Sequence, residues 1–167
     1  MTVLLHRLLR ALAAAALAAC WLPAPAAVFE GVVSHVSDGD SLWVRPLGGG
    51  EALPVRLQGI DAPEICQAFG REARAALAAL ALHRQVTVRV RARDRYERLL
   101  ARVRLGRHDL GGWMVGQGNA WSDGWRGRGG PYAKQQAQAQ AARLGLWAGG
   151  DPVLPREFRR RHGSCRR

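Results

Sequence analysis

Arg56, Asp61 and Glu64 fall within the stretch Val-Arg-Leu-Gln-Gly-Ile-Asp-Ala-Pro-Glu, residues 55–64. Leu53, Val55 and Leu57 alternate with Arg56 and Gln58, the period of a strand with one apolar face, so Arg56 projects away from the core. Gly59 lets the backbone bend, and Asp61 and Glu64 follow at the strand's end. Two carboxylates and one permanently charged guanidinium converging on one spot suit a metal ion bound next to a phosphate. Taken alone, Asp-Ala-Pro-Glu is also a helix start, with Asp61 as cap and Glu64 closing a capping box. A second acidic pair, Asp38-Gly39-Asp40, lies upstream between two alternating apolar runs, where Asp-Gly by itself reads as a hairpin turn.

The elements that must carry these groups follow from periodicity. Residues 28–37 alternate and end at the Asp-Gly-Asp turn, 41–45 form a second strand, and Gly48-Gly49-Gly50 marks the hairpin into a third strand, 53–60. Phe69, Ala73, Ala76, Leu77 and Leu80 recur on one helical face with Arg71, Glu72 and Arg74 opposite, so 67–82 is an amphipathic helix. Val86, Val88 and Val90 alternate with Thr87, Arg89 and Arg91, and in 99–105 Ala101 and Val103 face in while Arg102 and Arg104 face out. Residues 109–117 and 132–144 read as helices, with Trp147 a core residue. Five strands with one helix inserted after the third make an α+β fold, an OB-type five-stranded β-barrel with three helices.

The order strand, Asp-Gly-Asp-Ser, strand, Arg-x-x-Gly-Ile-Asp-Ala-Pro-Glu resembles the staphylococcal-nuclease-like (thermonuclease) family, and the likeness covers nearly all of residues 28–147. The resemblance implies a calcium site made by the carboxylates of Asp40 and Asp61 and the carbonyl of Ala62. It places the water-activating glutamate on Glu64 and the two phosphate-binding arginines on Arg56 and Arg98. Asp38, Asp94 and Tyr96 match as well. Ser41 stands where threonine is usual, and Glu97 replaces the glycine of the usual Asp-x-Tyr-Gly-Arg, where it can alter the loop's backbone or compete for Arg98. The family's base-stacking tyrosines find no counterpart in the loop around Gly124. Trp121 or Trp125 could take that place, in a glycine- and arginine-rich loop of the kind that binds single strands.

Composition agrees with an anionic substrate. The chain has 25 Lys plus Arg against 13 Asp plus Glu, nearly all of the positive charge being arginine, whose planar fork suits phosphate. Anionic lipid or cell-surface polymer would attract the same charge. His6, Arg7 and Arg10 precede or flank an apolar run, 11–19, too short to span a bilayer, so residues 1–26 read as an export signal. Ala24-Pro25-Ala26 suggests cleavage before Ala27 and a periplasmic or secreted protein, whereas Leu17-Ala18-Ala19-Cys20 resembles a lipobox that would anchor the chain through Cys20. Either route leaves Cys66 and Cys165 as an even pair in an oxidising compartment, and a disulfide is expected between them. The mature chain is then one domain, 28–150, with a basic, partly ordered tail, 151–167.

The function expected is a secreted calcium-dependent nuclease acting on DNA and RNA, single strands above all, as a monomer. The family implies cleavage between phosphorus and the 5′ oxygen, leaving 3′-phosphates. A non-catalytic OB-type nucleic-acid-binding module is the alternative; it would keep the arginine rows without needing Asp40, Asp61 and Glu64 together. His35, His83, His108 and His162 show no ligand spacing for a different metal chemistry.

Overall fold

The computed structural model describes residues 27–124, 129–163 and 165. The proposed leader, Cys20 and Trp125 lie outside that range. Strands β1 (Val28–Val36), β2 (Ser41–Pro46) and β3 (Leu53–Leu57) form an antiparallel meander. The next short strand, β4 (Ile60–Asp61), leaves it after the chain turns at Gln58-Gly59. β5 (Gln85–Arg93) then pairs with β1, β6 (Leu99–Leu105) pairs with β5, and a parallel contact between β3 and β6 closes a five-stranded barrel. Val33, Val44, Val55, Leu57, Val88 and Val103 fill it; in β1 the register shifts between Val33 and His35, so Val33 and Val36 are buried where strict alternation would pair Val32 with Val36. The outward arginines meet as expected, with Arg89 directly opposite Arg102.

Helix α1 (Gly70–Ala81) packs Ala73, Leu77 and Ala81 against the barrel. It starts three residues later than the expected 67, because Phe69 takes a left-handed conformation (φ 68°) and the chain ahead of it is shaped by side-chain bonds. Gln67 accepts from the Glu64 N–H at 3.2 Å and donates to the Val153 carbonyl at 2.6 Å. Asp61 and Glu64 therefore do not form a capping box; Asp61 ends β4 and Glu64 opens a turn ahead of the helix, its carbonyl accepting from the Gln67 N–H.

Short strands β7 (His108–Asp109) and β8 (Trp121–Ser122) flank α2 (Leu110–Gly116), and α3 (Ala133–Ala141) leads to a 3-10 turn, Gly145–Gly149. Among the described residues there are four α-helices, one more than the three expected. A fourth, α4 (Pro155–His162), forms within the segment read as a partly ordered tail. Its signals are in the sequence: proline in the first turn, Glu157 near the N-terminus, and Arg159, Arg160, Arg161 and His162 in the last turn, where they meet the negative end of the helix dipole. High charge alone made the segment look solvated. Past α4 the chain reaches Cys165, which is bonded to Cys66 across 99 positions.

Candidate active site

The turn between β1 and β2 places Asp40 at the barrel rim. Its carboxylate is buried; Oδ1 accepts from Arg56 Nη1 at 3.0 Å and from Ser41 Oγ at 2.9 Å, and Oδ2 accepts from the Ala62 N–H at 3.1 Å. Gly39 makes this approach possible, since a Cβ there would stand 2.7 Å from the Ala62 Cβ and 2.8 Å from the Ala73 Cβ. Asp61, on β4, accepts from Arg56 Nη2 at 3.0 Å through Oδ1. One strand-borne guanidinium thus clasps both carboxylates.

Glu64 is held from behind by α1. A Cβ at Gly70 would stand 1.9 Å from the Glu64 carbonyl oxygen, so only glycine lets the helix close on this loop. Arg98 enters from the β5–β6 loop. Its Nε and Nη2 meet Asp94 Oδ2 at 2.8 and 2.7 Å, and Nη1 donates to Ser41 Oγ at 3.2 Å. Ser41 is therefore a bridge, donating to Asp40 while accepting from Arg98. Glu97 takes the left-handed conformation (φ 61°) that glycine adopts freely, and Arg98 still reaches the site, its side chain bonded to Asp94 and Ser41.

The electrostatics follow this clustering. Burial, and next the Asp40 charge, push the half-buried Asp38 carboxyl up to about 7. Burial also raises Asp61, against the pull of Arg159 and Arg56. Burial would lower Arg56, but Asp40, Asp61 and Asp38 outweigh it and hold the guanidinium above its ordinary value. At Asp94, burial would raise the carboxyl, and the bonds from Arg98 and from the Tyr96 N–H more than reverse that, leaving it below the usual range.

The oxygen donors fit a hard divalent cation. Asp40 and Asp61 face one shared guanidinium, and Oδ2 of each accepts a single hydrogen bond among the described residues, keeping a further acceptor direction. Among the described residues no three carboxylate, imidazole or thiolate side chains converge tightly enough to hold an ion as they stand. Guanidinium groups fill the space between them.

The family described as staphylococcal nuclease homologue matches residues 54–149, more than half of the chain. The chain belongs to the staphylococcal nuclease-like family. It is 38% identical over 165 residues to the micrococcal nuclease of Shigella flexneri, covering 91% of this chain and 92% of that one. It is 38% identical over 128 residues to an uncharacterized endonuclease of Haemophilus influenzae, covering 77% of this chain and 71% of that one. With protein ParB of Escherichia coli it shares 36% identity over 166 residues, 92% of this chain and 93% of that one. The OB-type barrel belongs to this nuclease-like family.

Of the site residues expected from sequence, the structure brings together Asp40, Arg56, Asp61, Ala62, Glu64 and Arg98. Tyr96 is exposed beside them, with the guanidinium carbons of Arg95 and Arg98 at 4.8 and 5.5 Å from its ring centre. Trp121 does not join them as a stacking surface: it is buried, edge-on to Trp147 with ring centres 5.6 Å apart, because β8 pairs with β4 and turns it inward. Trp147, expected in the core, is only half-buried and packs against Trp121 outside the barrel core. Sequence reasoning missed Arg159. From α4 it donates through Nη1 to Asp61 Oδ1 at 3.2 Å and Glu64 Oε1 at 2.7 Å, and through Nη2 to Asp61 Oδ2 at 3.1 Å. The Pro155 start signal and the Cys165 tether are the two features that could have pointed to it.

Proposed function

We propose that the protein is an exported, calcium-dependent nuclease that hydrolyses phosphodiester bonds of DNA and RNA, prefers single strands and leaves 3′-phosphates. The observation that carries this reading is the clasp of Asp40 and Asp61 by Arg56, with Arg98 joined to the same cluster through Ser41. The relatives named nucleases and endonucleases support it. The leader-like first 26 residues, with Cys20 as the alternative anchor, support export.

A phosphodiester repels an attacking oxygen, and negative charge grows on its equatorial oxygens during in-line displacement. Asp40, Asp61 and the Ala62 carbonyl would hold the calcium ion, which supplies charge neutralisation at the phosphate when bound. Arg56 and Arg98 approach from separate elements and can each donate charge-assisted hydrogen bonds to phosphate oxygens. Glu64 orients the attacking water or takes its proton. The exposed arginines of β5 and β6, Arg89 and Arg102, give the strand a basic track on the barrel surface.

The test is cleavage of labelled single-stranded DNA and RNA with calcium, with chelator and with magnesium. Activity should appear with calcium, vanish with chelator and return poorly with magnesium, which demands a stricter octahedron. Equal cleavage in chelator would refute the metal assignment, and 5′-phosphate products would refute the bond assignment.

A further inference from the structure

The guanidinium of Arg159 covers both oxygens of Asp61 and one of Glu64, the carboxylates that a bound cation and its attacking water would face. Its side chain is one-third exposed (33%), so it closes the site from the solvent side. Burial would lower Arg159, but its bonds to Asp61 and Glu64 outweigh that and hold it above the ordinary arginine value. The helix that carries it is clamped at both ends to the segment bearing Glu64. Ahead of α4 the Val153 carbonyl accepts from Gln67, and after it Cys165 is bonded to Cys66.

We propose that Arg159 is a tethered internal cation that competes with the divalent ion for Asp61 while occupying the water-handling Glu64, so that helix α4 sets the cation affinity of the active centre. This rests on the calcium reading above. The charges support competition. Asp40, Asp61 and Glu64 face Arg56 and Arg159; withdrawing Arg159 leaves two carboxylate charges uncompensated, the number a divalent ion neutralises. An ion arriving with Arg159 in place meets a positive neighbour and an Asp61 whose two oxygens are already engaged. Displacing Arg159 also frees the Glu64 oxygen it holds, so the ion site and the water-handling carboxylate open in one step. The two clamps keep the guanidinium at a high effective concentration, and cutting the disulfide weakens the competitor while leaving every site side chain in place. Linkage is reciprocal: whatever factor Arg159 removes from calcium affinity, calcium removes from the docking of α4.

Calcium titration by calorimetry, on the full exported chain without nucleic acid, tests this. Arg159→Gln should bind calcium about tenfold more tightly or better, within the roughly 5–150-fold range of ordinary coupling. Arg159→Lys, which keeps the charge but loses the fork, should fall between it and wild type. Cys165→Ser with Cys66→Ser should shift in the same direction by a smaller factor. A second readout needs no substitution: hydrogen exchange of amides 156–163 in the wild-type protein should speed up when calcium is added. Unchanged or weaker calcium binding by a folded Arg159→Gln, with wild type binding normally, overturns the proposal and leaves the calcium reading intact. Exchange that stays the same or slows with calcium overturns it too. No calcium binding by either protein sinks the calcium reading, and the proposal with it.

Discussion

Arg56 and Arg98 are the two guanidinium groups assigned to the phosphate, and they are held in opposite ways. Arg56 stands on a barrel strand with its fork filled by Asp40 and Asp61, the carboxylates assigned to the cation. Arg98 stands on a loop, and its main partner is Asp94, which lies outside that carboxylate pair. The Asp94 carboxylate would remain bonded to the Tyr96 and Arg98 backbone N–H groups without the side chain. One arginine is therefore part of the architecture of the site, and the other is delivered to it. Charge and chemistry are the same; the cost of removal is not.

The largest effect should come from Arg56→Ala. It should lower turnover by about two to three orders of magnitude. It should also destabilise the protein in chelator by on the order of 3 kcal/mol, because Asp40 and Asp61 lose their shared counter-charge. Urea denaturation in chelator and in calcium would show whether the ion restores part of that loss. Arg98→Ala should cost a similar two to three orders of magnitude in turnover. Its stability should change by less, about 1 kcal/mol, because the half-buried Asp94 keeps its bonds from the Tyr96 and Arg98 N–H groups. Equal destabilisation by the two substitutions would break the contrast.

The strand-borne half of the site was legible in sequence because its parts are local. Alternation around Val55 and Leu57 gave the direction of Arg56, and the Asp-Gly-Asp and Asp-Ala-Pro-Glu stretches gave the carboxylates. Conformational detail was less legible. Nothing in the helical spacing announces the left-handed Phe69, so that spacing extends the helix back to Gln67, whose side chain instead bonds Glu64 and Val153. Trp121 misled because a loop's aromatic and glycine content does not say which ring turns inward; pairing of β8 with β4 decides that. Arg159 was the hardest, since it meets Asp61 across 98 positions and belongs to a segment whose charge resembles a solvated tail.

Asp38 supplies a smaller test of the crowding around Arg56. Its carboxyl is raised to about 7, so its contribution is fully present below the ordinary carboxylate range near pH 4 and is lost as pH rises through 7. In chelator, wild-type stability should fall over that window. Asp38→Asn should flatten the fall and be the more stable protein at pH 8; an unchanged profile would contradict the assignment. On the Arg98 side, Glu97→Gly should have the smallest effect. Releasing a left-handed glutamate recovers roughly 1 kcal/mol in the folded state, offset in part by the freer unfolded chain. Activity should stay close to wild type because the loop already presents Arg98. A large gain would mean that Glu97 holds Arg98 away from the phosphate.

The most direct test of the central claim compares Glu64→Gln with wild type on one labelled single-stranded oligonucleotide in calcium, measuring cleavage and binding side by side. Cleavage should fall by roughly two to three orders of magnitude with oligonucleotide binding retained and calcium binding not weakened, because Glu64 is assigned to the attacking water and its charge also helps hold the competing Arg159. Wild-type protein that binds the oligonucleotide but cleaves it under no divalent ion, indistinguishable from Glu64→Gln, would contradict it and make this barrel a binding module.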